Sequence, residues 1–214
     1  MPSILSSHRR LASLSTVLPP GAALEGSRGV ILTESLRLFA EHGYGGTSIR
    51  DIAKLVGIQA ASVYSHFPSK AHVLAELVKL GHEEHHHRMR AAVLEAGAEP
   101  QAQLIALVHA HVAAHAEYPM LAVVSNAEMH ALPETFAAPI LAVRNQSERL
   151  LHDVIERGIR LGVFAVPDAQ LAMLAIGAMG LRVAHWYSGD FGKTPDQVAD
   201  IFAEFACRLV GAKR

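Results

Sequence analysis

A chain of 214 residues, half of them apolar, can bury one sizeable core or join a small domain to a larger one, and this composition excludes a disordered polymer. A single cysteine, Cys207, excludes an intramolecular disulfide framework. No stretch approaches the roughly 18 uninterrupted apolar residues of a membrane span, so a reducing cytoplasm and no membrane partner are expected. The net charge of −1 is unevenly spread: residues 28–70 carry five Arg/Lys against three acids and residues 1–27 two against one, which leaves −4 for the remainder. A modestly positive end on an acidic chain suits a module that meets phosphate at one end only.

In chain order, residues 1–26 hold Arg9, Arg10 and scattered serines without a compact apolar stretch, and read as a disordered extension or as a start codon assigned too early. The first helix is expected from about Ser27, a candidate N-cap, to His42, with Leu32, Leu36 and Phe39 on one face and Gly43 as its stop. Thr47 or Ser48 caps a short second helix whose inward face is Ile49, Ile52, Ala53 and Val56, and Gly57 closes it. A third short helix over about 59–66 ends before Pro68 and Ser69. Two short helices joined around a glycine cross steeply, which is helix-turn-helix geometry over residues 48–67.

From Lys70 a long helix is expected to about Ala96, with Val73, Leu74, Leu77 and Leu80 on its apolar side before the pattern turns polar at His82–Arg90, like a connecting rod. Beyond Pro100, helical periodicity recurs over 101–116, 120–130, 134–161, 168–187 and 195–211. Strand signals are almost absent, so the fold class is all-α: an N-terminal three-helix domain (27–80) followed by a C-terminal helical bundle (81–214).

The stretch from Phe39 to Lys70, with Gly43, Thr47, Ile52, Ala53, Gly57, Tyr64, His66 and Phe67 at their spacings, resembles the TetR family of repressors, strongly over about 28–80. The resemblance implies that the third helix enters the major groove, with Gln59, Ala60, Ala61, Ser62 and Ser65 facing bases and Thr47, Ser48, Arg50, Tyr64, His66 and Lys70 near the DNA backbone. Ala60 and Ala61 offer apolar contact alone, so hydrogen-bonding readout falls on Gln59, Ser62 and Ser65. It also implies a double-stranded, palindromic operator bound by a homodimer. The last helix carries a stripe of Val198, Phe202, Phe205 and Leu209, and the helix before it small residues including Ala178; in this family these two elements form the dimer bundle, although such a stripe also suits ordinary core.

The middle helices mix apolar residues with isolated polar ones, among them Glu128, Arg144, Arg149, Arg182 and His185, followed by Trp186, a mixture that suits a greasy cavity with orienting groups and equally any helical bundle. A looser resemblance over about 120–210, carried by His185-Trp186-Tyr187, the Gly158–Phe164 turn and Thr194-Pro195-Asp196-Gln197-Val198, is to TetR-type repressors of fatty-acid or sterol catabolism that respond to acyl-CoA. A small hydrophobic effector is expected and no cofactor; a drug or a metal is the alternative effector.

His82-Glu83-Glu84-His85-His86 matches H-E-x-x-H and keeps a zinc metallohydrolase as a reading of another class, with His109, His111 and His115 as conceivable further ligands. In a chain with 14 histidines the weightier reading is a solvated histidine-rich helix face, with no metal assigned. Gly192-Lys193-Thr194 lacks the earlier glycine of a phosphate loop and the lone Cys207 sits on a helix that reads as interface or core, so no enzymatic activity is expected.

Overall fold

The computed structural model describes residues 16–20 and 25–212, and every regular element among them is helical. Nine α-helices follow in order: α1 (Gly26–His42), α2 (Ile49–Val56), α3 (Ala60–His66), α4 (Lys70–Glu95), α5 (Pro100–Glu117), α6 (Pro119–Ala127), α7 (Glu134–Arg160), α8 (Ala169–Trp186) and α9 (Pro195–Leu209). No helix of the described residues is long and apolar enough to cross a membrane. Most of the extension expected over 1–26 lies outside the described residues. Within it, Leu18 is buried and belongs to the N-terminal core.

Local sequence explains most of the boundaries. Ser48 caps α2: its hydroxyl accepts from the Asp51 N–H while the Asp51 carboxylate accepts from the Ser48 N–H, a reciprocal capping box. Gly57 then adopts φ 76°, the left-handed conformation that ends α2 and lets α3 cross it. Ser69 caps α4, Asp168 caps α8, and Thr194 with Gln197 forms a second capping box at α9. Ser27 is not a cap. The helix begins one residue earlier behind Glu25, which makes no side-chain capping bond, so Ser27 lies inside the first turn.

Two apolar cores form. The first joins α1–α3 and the first half of α4 to α6 and the start of α7, centred on Phe39, Leu36, Ile52, Val63, Leu74 and Leu77, all fully buried. The second surrounds α5, which packs against α4, α7, α8 and α9 and therefore has few exposed positions. Helix α4 contributes to both cores and ties the two ends of the molecule together. Behind α7 the chain folds back so closely that a Cβ on Gly158 would lie 2.0 Å from the Phe164 ring; glycine is needed there for packing.

Candidate operator interface and effector cavity

α3 is anchored by Val63, fully buried, and by Phe67 just beyond its end, which leaves Ala61, Ser62, Tyr64 and Ser65 exposed along with Gln59 and, on α2, Arg50. The helix is held from behind by Arg28, whose Nη1 donates to the His66 carbonyl at 2.9 Å, whose Nη2 pairs with Glu76 of α4, and whose guanidinium stacks 4.2 Å from the Phe67 ring centroid. One side chain thus links α1, α3 and α4.

Four of the sequence-expected DNA residues are placed differently. Thr47 is buried, and its hydroxyl donates within the chain to the Leu38 and Gly43 carbonyls, so it neither caps α2 nor offers that group to phosphate. Ser48 is exposed, but its hydroxyl is engaged by Asp51. Ala60 packs partly against the first core instead of standing clear of it. Lys70 turns inward: Nζ donates to the carbonyls of Tyr44 and Thr47, both at 2.7 Å, and sits 4.0 Å from the Tyr44 ring centroid. The lysine holds the Gly-rich turn between α1 and α2. Lys70→Ala is expected to lower stability by about 2 kcal/mol, since two charge-assisted bonds are lost, and the melting temperature by roughly 4–8 °C. The salt dependence of DNA binding should keep its slope, whereas loss of a phosphate contact lowers it by about 0.9 per contact.

In the other half a cavity of about 280 Å³ lies between α4, α5, α6, α7 and α8. Its walls are mainly apolar, with Met89, Leu121, Leu151, Met173 and Leu181, and its polar groups include His82, Glu84, His85, His111, His115, Ser125, Asn126, Arg144, Ser147 and Glu148. Of the sequence-expected ligand residues it takes Arg144, which pairs with Glu148 at 3.0 Å. Arg149 and Arg182 point to solvent from the outer faces of α7 and α8, Trp186 stacks with Phe202 and meets Phe191 at a tilt at the end of α8, and Glu128 is buried below α6 away from the lining. His185, half-buried, also lies outside the lining.

The histidines correct the reading of α4 as a solvated face. His82 is buried with its pKa pushed down to about 4, chiefly by burial, and His85, His111 and His115 are brought together between α4 and α5. The H-E-x-x-H pair does not converge. His86 faces Ser147 of α7, Nδ1 to Oγ 3.1 Å, and Glu83 is exposed beside Lys79, so the motif's glutamate does not face the histidine it would serve. Sequence periodicity held the missed signal: the stripe Leu74, Val78, His82, His85, Met89 continues the core phase of α4, and Leu104, Val108, His111, His115 that of α5.

The expected dimer stripe also divides. Val198 is buried in the chain's own core with Ala199, Ala203, Ala206 and Val210, and Leu209 and Phe202 are partly buried against it, because α9 lies flat on α5. Gly180 faces inward as well, since a Cβ there would lie 2.1 Å from the His111 ring. What remains exposed is Phe205 with Ile201 on α9 and Leu171, Leu174 and Ala178 on α8, apolar residues at helical spacing, of which Leu174 and Ala178 also line the open rim of the cavity.

Comparison with known proteins fits this arrangement. Residues 31–77 match the family model described as bacterial regulatory proteins, tetR family, and residues 97–210, more than half of the chain, match Tetracyclin repressor-like, C-terminal domain. The HTH-type transcriptional repressor KstR2 of Rhodococcus jostii (strain RHA1) is 27% identical over 176 residues, covering 81% of this chain and 86% of the relative. The solved ketosteroid transcriptional regulator KstR2 of Mycobacterium tuberculosis superposes with a TM-score of 0.79 at 25% identity, covering 94% of this chain and all of that one. AibR, solved with isovaleryl coenzyme A and operator DNA, shares the fold with a TM-score of 0.75 at 21% identity, covering 87% of this chain and 99% of that one. With both halves of the chain matched and the helix-turn-helix in place, the protein belongs to the TetR family of transcriptional regulators.

Proposed function

We propose that the protein is a homodimeric repressor that binds a palindromic operator through α3, with residues 27–80 as reading head and 81–214 as effector and dimerisation domain, and leaves the operator when a lipid-like acyl thioester enters the cavity. The observation that carries this reading is the half-open, mostly apolar cavity beside α4, the helix that also forms the floor of the reading head. Its volume of about 280 Å³ suits an acyl group, and the cofactor part of a thioester has to remain at the mouth, where Arg144 is the cation at hand. The similarity to two KstR2 proteins, one described as a ketosteroid regulator, favours a sterol- or lipid-derived ligand, and the AibR complex shows this fold accepting a short acyl-CoA. Direct base contact falls to Gln59, Ala61, Ser62 and Ser65, with Arg50, Tyr64 and His66 flanking them. The exposed face of α8 and α9, Leu171, Leu174, Ala178, Ile201 and Phe205, pairs with its two-fold mate.

An effector displaces the equilibrium only by its difference in affinity between the two head spacings. The test is a fluorescence-anisotropy titration of the full chain against its own upstream region at fixed salt, followed by acyl-CoAs of graded length. Saturation at two chains per operator and release by one acyl-CoA class are expected. Tight binding that no acyl-CoA disturbs removes the ligand assignment, and absence of any specific binding removes the repressor.

A further inference from the structure

Helix α5 places His111 and His115 one turn apart on its inward face, and α4 places His85 against them; one ring nitrogen from each lies within 4.8 Å of the other two. The hydrogen bonds around them decide which nitrogens carry lone pairs. His111 donates from Nε2 to the Gly177 carbonyl at 3.0 Å, which leaves Nδ1 as its acceptor. His115 donates from Nδ1 to the His111 carbonyl at 2.7 Å, which leaves its Nε2 bare. His85 Nε2 stands 2.7 Å from His111 Nδ1 and, with that nitrogen an acceptor, is the donor. Two of the three rings are therefore oriented by backbone carbonyls on the side away from the third, the outer-shell arrangement that fixes tautomer and aim in histidine metal sites. Burial depresses the pKa of all three, with the neighbouring imidazoles adding to the effect at His85 and His115, so the rings are neutral near pH 7.

We propose that His85, His111 and His115 form a three-nitrogen site for a divalent first-row transition metal, zinc foremost, on the wall of the effector cavity, with the fourth coordination position facing the cavity. Entry of the ion requires His85 to move its proton from Nε2 to Nδ1, after which Nε2 binds the metal; no net proton is lost. Bonds of about 2.0–2.1 Å spread tetrahedral nitrogens to about 3.3 Å, so His85 and His111 separate slightly while His115 closes in. Three imidazoles favour zinc, cobalt, nickel or copper over magnesium or calcium, which need oxygen donors. The nearby carboxylates Glu84 and Glu148 are paired with Arg88 and Arg144, so the fourth ligand comes from water or from an occupant of the cavity.

The test uses tag-free, full-length protein stripped with chelator at neutral pH and titrated with Co²⁺, then Zn²⁺. Expected are one equivalent per chain, the strong visible absorption of four-coordinate cobalt, and its bleaching by zinc. His85→Gln and His115→Gln should each weaken binding roughly 100-fold or more, while His87→Gln, exposed on α4, leaves it unchanged. Should His115→Gln lose its helical circular dichroism, His85→Gln alone decides, because His85 is less enclosed. Absence of the cobalt band, or equal affinity in wild type and His85→Gln, overturns the site. The readout needs neither DNA nor acyl-CoA, so it stands or falls separately from the effector assignment.

Discussion

Acidification from pH 7.5 to 5 should strip several kcal/mol from the stability of the metal-free protein. His82 and His115 are buried and neutral, their pKa values pushed down to about 4 and about 3, first by burial. At His82 the Arg144 charge adds to the depression, while a backbone hydrogen bond involving Ser125 and the Glu148 charge oppose it; at His115 the neighbouring His111 adds and a bond to the His111 backbone opposes. The unfolded chain, with histidine near pKa 6.5, takes up protons below that pH while the folded chain does not. The stability of the neutral burial is therefore present above pH 6.5 and is lost as pH falls toward the folded values. Each histidine contributes a slope of about 1.4 kcal/mol per pH unit, or about 2 kcal/mol at pH 5. The two together take about 4 kcal/mol from a total that for a domain is about 5–15, and His85 and His111, also depressed by burial, act in the same direction. Urea midpoints measured at pH 7.5, 6 and 5 should drop steeply, and His82→Gln should flatten the drop by about one proton's worth. A midpoint independent of pH over that range would show that these rings are accessible to water in solution.

Gln59→Ala should weaken operator binding by roughly 30-fold or more. Gln59 is exposed at the start of α3 and its side chain makes no capping bond, so its amide is available to a base edge without rearrangement. A good bidentate amide–base pair contributes about 1–3 kcal/mol of discrimination, and two-fold symmetry applies the loss at both half-sites, for about 2–6 kcal/mol in all. Because a base contact and not a phosphate contact disappears, the salt slope should stay constant while preference relaxes at one symmetric position of the operator. Selection of operator variants by the mutant protein, alongside anisotropy at two salt concentrations, checks both. Affinity within threefold of wild type, with unchanged base preference, would move the readout to Ser62 and Ser65.

Much of this molecule was legible in the residues themselves. Apolar spacing, glycine stops and capping residues placed every helix to within a few positions, because those signals act over one or two turns of a single chain segment. The helix-turn-helix followed from Gly57 and the short run Gln59–His66 for the same reason, whereas the residues expected to face DNA came from the family resemblance. The histidines and the exposed apolar face of α8 and α9 were not legible. Histidine fits a wet helix face and a packed interior alike, and only the assembly of α5 among five other helices, with Gly180 leaving room for the His111 ring, put His111 and His115 inside. On α8 and α9 apolar or small residues occupy more than one side, so periodicity could not say which side meets the chain's own core; the packing of α9 along α5 took Val198 inward and left Phe205 out. Lys70 followed the same logic at smaller scale, its charge drawn to two carbonyls of a turn more than twenty residues earlier. The sequence by itself determined the helices, their order and the reading head, since these depend on local periodicity and capping. The lining of the cavity, the histidine cluster and the surface left for a partner were decided by the tertiary structure, since they depend on which helix faces are covered by segments distant in the chain.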